Sequence, residues 1–301
     1  MLELSRICFT AAAALVVLAF AAQIVVLFGT RSLPERVEAR VPVGVGGGGG
    51  RVETSYEPPE PRAARPSGWA AYALRMSWVA LALLTLGLIA RMSVTGHAPF
   101  ANHYEYAVSF AWAILLFYGV FEQRYHLRMI GVLVLPAVFG LLLYASVTGA
   151  EVQPLPPALQ NHLLLTLHVV TAVIAYGAAA ISFAAAVLYL LKERTGSRLI
   201  PDRSMLDEIG YKAQVICFPM LTLMLVLGAV WGNVAWGRYW AWDPKETSAL
   251  VTWLIYGAYL HARVVRGWQG SRSAWLLVIG FAAVVFTFFS SLFLGGLHSY
   301  A

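Results

Sequence analysis

Eight stretches of this chain, roughly 7–29, 70–90, 104–121, 129–148, 162–191, 213–231, 247–265 and 274–297, are predominantly apolar over about the length that crosses a bilayer. A spanning helix takes about 20 such residues, and a segment in lipid must satisfy its backbone hydrogen bonds internally. Of the 301 residues 59 % are hydrophobic and 12 % charged, against about 25 % charged in a typical soluble domain. An all-α polytopic membrane protein with about eight transmembrane helices is therefore predicted. The third stretch is short, and the fifth is long enough to tilt or to project from the bilayer. The first runs apolar from Ile7 to Phe28, longer than the ~7–15 residues of a secretory h-region, so it reads as an uncleaved helix.

The cations say which way the helices face. If the eight helices alternate, 17 of the 21 Lys and Arg residues fall on one side, and Arg6, Arg91, Arg238 and Lys245 make up the other 4. Positive charge stays on the cytoplasmic side. Both termini and the loop between helices 6 and 7 are thus expected outside. The net charge of +6 is a topology signal, and no nucleic-acid partner is implied.

Three units follow: a first transmembrane helix over 1–30, a Gly/Pro-rich linker over 31–68 and a seven-helix domain over 69–301. The linker holds VPVGVGGGGG, then Pro58, Pro59, Pro61 and Pro66; such runs are flexible or extended, and disorder on the cytoplasmic side is expected. Met205, Leu206, Ile209 and Tyr211 read as a short amphipathic stretch lying on the membrane surface. Cys8 and Cys217 are far apart and form no C-x-x-C, so a thiol oxidoreductase is excluded and both read as apolar packing residues.

The loop between helices 6 and 7 is WGNVAWGRYWAWDPKE, residues 231–246. Trp231, Trp236, Trp240 and Trp242 form an aromatic surface larger than interfacial anchoring needs. Asp243 suits the N-cap of the next helix, Pro244 its first turn and Glu246 its positive end. Lys245 and Arg238 are cations beside that surface, able to pair with ligand carboxylates. A flat, mostly apolar, carboxylate-bearing molecule such as a porphyrin fits this chemistry.

Of the seven histidines, His168 and His298 flank the loop at matched depth on the outer side. Two neutral imidazoles from separate helices can hold a haem iron from opposite faces. His261 lies deep in the seventh helix, where an ionisable residue is a functional candidate by default. His103 and Glu105 begin the third helix. His97, His126 and His162 sit in loops or at ends and have no assigned role.

Several of these segments together resemble the System II haem-handling membrane proteins of cytochrome c biogenesis, the CcsA/ResC family, within the wider group that shares the tryptophan-rich "WWD" signature. They are FPMLTLMLVLGAVWG (218–232), WGRYWAWDPKET (236–247), LVTWLIYGAYLHAR (250–263), NHYEY (102–106), LTLHVVTAVIAYG (165–177) and GGLHSYA (295–301). The likeness is dense from about residue 95 onward. It implies haem b (iron protoporphyrin IX) as cofactor, with His168 and His298 as external iron ligands and His261 as a transmembrane one. It also implies a surface of Trp231, Trp236, Trp240, Trp242, Asp243 and Lys245. The implied setting is a bacterial cytoplasmic or thylakoid membrane, with a ResB/CcsB-like membrane partner, an apocytochrome c bearing C-x-x-C-H as substrate and, indirectly, a thioredoxin-like thiol reductant. Ser248 stands where the family usually has another tryptophan, Arg238 where a small residue is common, and His103 where an apolar residue is usual.

The implied function is presentation of haem on the outer face for thioether attachment, as a subunit of a cytochrome c haem lyase. A haem exporter without ligase activity is the alternative. A dihaem quinol-oxidising protein fits less well, because its histidines would be paired at two depths in one bundle. A bland scaffold gives no reason for WDPKE beside two histidines.

Overall fold

Each apolar stretch forms a helix in the computed structural model, which describes residues 1–29, 68–152, 155–160 and 162–299. The helices are α1 (Leu2–Gly29), α2 (Gly68–Thr95), α3 (His103–Tyr125), α4 (Ile130–Thr148), α5 (His162–Thr195), α6 (Arg203–Trp236), α7 (Pro244–Arg266) and α8 (Ser271–Leu294), with a 3₁₀ turn at Pro157–Gln160 before α5. Seven of them are long and apolar enough to cross a membrane. The eighth, α7, has the length, 23 residues or about 34 Å, but carries Lys245 and Glu246 at one end and His261, Arg263 and Arg266 towards the other. The chain is an all-α polytopic membrane protein, as its apolar periodicity requires. The expected linker lies outside the described residues, except that Gly68 already opens α2.

One expectation is corrected. Residues 205–211 are not a separate surface stretch but the first turns of α6, with Leu206 and Ile209 buried. Asp207 accepts hydrogen bonds from Arg263 and from the Gly270 amide. The polar start of α6 is thereby held upright against the α7–α8 turn instead of lying flat.

Contacts between loops sort the bundle into two ends. At one end Arg91 of α2 reaches the Ala150 carbonyl after α4, and the Trp231 indole of α6 donates to the Ala158 carbonyl before α5. There too Asp243, before α7, meets His298, after α8. At the other end Glu193 of α5 meets Ser271 of α8, and Lys212 lies over the Tyr125 ring. Neighbouring helices therefore alternate in direction.

Close packing between these helices uses small residues, as it must where lipid supplies no hydrophobic drive for association. The middle of α5 is a run of buried alanines, and a Cβ at Gly177 would come within 2.9 Å of the Ala113 Cβ on α3. On α8, a Cβ at Gly280 would overlap the Tyr256 ring of α7.

The first-named end is also fastened by charge. Arg91 Nε donates to Glu105 Oε1 at 2.6 Å, with both side chains at most 2 % exposed. Arg91 further donates to the Ala150 carbonyl at 2.9 Å and lies over the Tyr104 ring. Glu105 Oε2 accepts from the Ala101 amide, and Asn102 Oδ1 caps α3 by accepting from the Glu105 amide. A buried ion pair survives in a low dielectric only with its remaining hydrogen bonds met, and here they are. The pair fixes where α3 starts, and with it His103 and Tyr106.

Candidate binding cleft

At that same end a cleft of about 1070 Å³, counting the space open at its mouth, lies between α3, α5, α6, α7 and α8. Its walls are mostly apolar, with a few converging polar groups, which is the ordinary make-up of a small-molecule site.

His168 is held by α6. Its Nδ1 lies 2.9 Å from the Met224 carbonyl. A carbonyl can only accept, so Nδ1 carries the proton and Nε2 keeps the lone pair. That approach needs a notch. A Cβ at Gly228, one turn on from Met224, would lie 2.7 Å from His168 Cε1, so glycine there lets the imidazole lie against the helix backbone.

His298 is held by α7. It does not close α8, which ends at Leu294; Gly295 and Gly296, both at positive φ, turn the chain back over the cleft. Its Nδ1 lies 2.8 Å from Asp243 Oδ2, which again leaves Nε2 as the nitrogen with the lone pair in the neutral ring. Asp243 is the N-cap of α7 in a full capping box with Glu246, and Pro244 occupies the first turn. The same carboxylate accepts from the Lys245 amide at 3.0 Å and from the Leu297 amide at 2.6 Å. Burial alone would raise its pKa, but the His298 hydrogen bond and charge, with those two amides, hold it down at about 2.

The tryptophans divide by role. Trp231 is buried and touches both imidazoles, stacked on His168 with ring centroids 6.0 Å apart and tilted against His298 at 5.9 Å. Trp236 meets His298 edge-on at 4.9 Å and Trp231 at 4.8 Å. Trp240 lines the cleft. Trp242 does not; it is 70 % exposed, on a backbone at φ 57°, a conformation uncommon for a bulky residue. Glu246 Oε2 secures that turn by accepting from the Ala241 and Asp243 amides.

Lys245 lines the cleft, its Nζ 5.6 Å over the Tyr106 ring. Arg238 is exposed and does not line it. His261 is exposed on α7, 16 residues or about 24 Å from Lys245 along the helix. The structure thus brings together His168, His298, Trp231, Trp236, Trp240, Asp243 and Lys245, and leaves His261 and Trp242 outside. Sequence reasoning missed Gly228, the Met224 carbonyl and the second duty of Asp243. It also gave His103 and Tyr106 no place, although both line the cleft. The one available signal was that NHYEY sits on the same side as the tryptophan loop.

Residues 100–298 match the family model described as cytochrome C assembly protein. The chain is 37 % identical over 239 residues to the cytochrome c biogenesis protein CcsA of Chlamydomonas reinhardtii, covering 75 % of this chain and 67 % of that one. The CcsA protein of Gloeobacter violaceus is 32 % identical, with 74 % and 84 % covered. That of Gloeothece citriformis is 33 % identical, with 79 % and 90 % covered. Among solved structures, cytochrome c heme lyase CcmF superposes with a TM-score of 0.65 at 18 % identity. That likeness is one of fold; it takes in 96 % of this chain but 46 % of the lyase.

Proposed function

This chain belongs to the cytochrome c assembly protein family, and from that premise we propose that it serves cytochrome c biogenesis by holding haem b in the cleft and presenting it for covalent attachment to an apocytochrome. The observation that carries the reading is the placement of His168 and His298, from α5 and from the turn after α8, in one cleft, each packed against Trp231. Each imidazole has its Nδ1 proton directed to an oxygen acceptor, the arrangement that fixes ring orientation and raises the basicity of Nε2 towards a metal. The donor set fits a porphyrin iron: two imidazole nitrogens that would hold the metal, tryptophans for the ring and a cation for its acid side chains.

Bound haem would bring the vinyl carbons to which the two thiols of a C-x-x-C-H motif add. The protein's own part is positional. His168 and His298 would hold the iron, Trp231 and Trp240, which line the cleft, would exclude water from the ring, Trp236 packs against Trp231 and His298, and Asp243 steadies His298.

The cation bias supports an outer position for the cleft. Of the four cations on that side, Arg91 is consumed in a buried ion pair and Lys245 faces the cleft, leaving that surface still poorer in positive charge. His261, exposed on α7 and far from the cleft, would hold haem only with a ligand from outside this chain. A ResB/CcsB-like membrane partner is the proposed source.

The test is the visible absorption spectrum of the detergent-purified protein, co-expressed with its partner, for wild type and the His168→Ala/His298→Ala double variant. A bis-histidine haem spectrum in wild type that is lost or shifted in the variant is expected. A haem-free wild type, or a variant with an unchanged spectrum, would overturn the reading.

A further inference from the structure

The cleft is lined by three histidines, not two. His103 is the first residue of α3, one turn before Tyr106, whose ring carries the Lys245 ammonium. Lys245 and His103 lie close enough for their charges to interact. Among the described residues, partly buried Lys245 forms no ion pair within 4 Å; the Asp243 charge two residues away acts on it without direct contact. The carboxylate that shares the cleft, Glu246, has its Oε2 engaged by the Ala241 and Asp243 amides. Glu105, which would otherwise offset charge at the start of α3, is turned away into its ion pair with Arg91. The N-termini of α3 and α7, with their partial positive charge, both border the cleft here, through His103 and Tyr106 and through Lys245 and Glu246.

Resting on the haem reading, we propose that His103 and Lys245 form the carboxylate-binding pole of the cleft. The acid side chains of the porphyrin lie on the α3/α7 wall, with its iron on the His168/His298 side. His103 is then a specificity residue that donates a hydrogen bond to one carboxylate while Lys245 takes the charge of the other. This fixes which way round the ring sits, which the iron ligands alone do not do, since a ring held by two axial imidazoles is otherwise free to turn about that axis.

The experiment uses a probe that the iron ligands cannot hold. Metal-free protoporphyrin IX and its dimethyl ester are titrated into the full chain in detergent, with quenching of tryptophan fluorescence as the readout. Wild type is expected to bind the diacid at least tenfold more tightly than the ester. His103→Leu should reduce that ratio several-fold, His103→Gln, which keeps a donor, should retain most of it, and Lys245→Met should bring it close to one. The Soret position of ferric haem should match wild type in His103→Leu, because the iron ligands are untouched. A wild type that does not discriminate, or a His103→Leu protein with an unchanged ratio, overturns the proposal. A shifted Soret band with an unchanged ratio overturns it too, by making His103 an iron ligand. A wild type that binds neither haem nor either porphyrin would bring down the haem reading itself, a result distinguishable from haem binding without discrimination.

Discussion

His298 Nδ1 and Asp243 Oδ2 lie 2.8 Å apart, so the residue that starts α7 also orients the imidazole that follows α8. Asparagine is as good an N-cap as aspartate, so Asp243→Asn separates the two duties. The α7 cap is expected to survive, while loss of the carboxylate behind His298 lowers haem affinity by about 10–100-fold, the usual effect of removing such a partner. Asp243→Ala should show that loss and, in addition, about 1 kcal/mol of lost stability from the cap. Haem titration beside thermal melting distinguishes the two variants.

The same carboxylate predicts a pH effect. Its pKa in the folded chain is about 2, below the ordinary value of about 3.9. A carboxyl depressed in this way contributes stability above its unfolded value and loses it as pH falls through the folded one. The tie between the α7 N-terminus and the 295–299 turn should therefore be intact above about pH 4 and fail towards pH 2. Hydrogen exchange at the Leu297 amide, which donates to Asp243 Oδ1, should report it, and Asp243→Asn should remove that pH dependence.

Gly228→Ala should act through His168. The added methyl has no room, and overpacking of this kind costs about 1–3 kcal/mol. In a His168→Ala background the same change should be close to neutral, because the ring it strikes is gone. A double-mutant cycle on thermal stability measures the coupling; additive effects would show that Gly228 does not seat the imidazole.

Removing one partner of the Arg91–Glu105 pair should be among the most damaging changes outside the cleft, about 3–5 kcal/mol, since it strands a buried charge. Arg91→Met/Glu105→Leu, which removes both charges together, should recover much of that loss. Yield and melting temperature in detergent test both.

The helices were legible because the bilayer imposes a length, and a run of about 20 apolar residues has few other uses. What escaped was polar helix beyond that length. The segment from Met205 to Tyr211 reads as an amphipathic stretch lying on the membrane surface, yet Asp207 and Arg263 hold it as the start of α6. The cleft was half legible. Topology placed the tryptophan loop, His168 and His298 on one side, and helix-capping rules placed Asp243, Pro244 and Glu246. Neither could show that His168 rests on a carbonyl 56 residues away, or that Trp242 is turned outward while Trp240 lines the cleft, because sequence spacing does not encode contacts between helices.

Arg91 and Glu105 have a bearing on how the protein is made. They sit 14 residues apart, on the two arms of a single helical hairpin joined by a short turn. Inserted one at a time, α2 and α3 would each carry an uncompensated charge into the bilayer; inserted together, each arm brings the counter-ion of the other. The hairpin is thereby equipped to carry this pair of charges to the far side of the membrane already matched, with α1, made before it, ready to pack on α2.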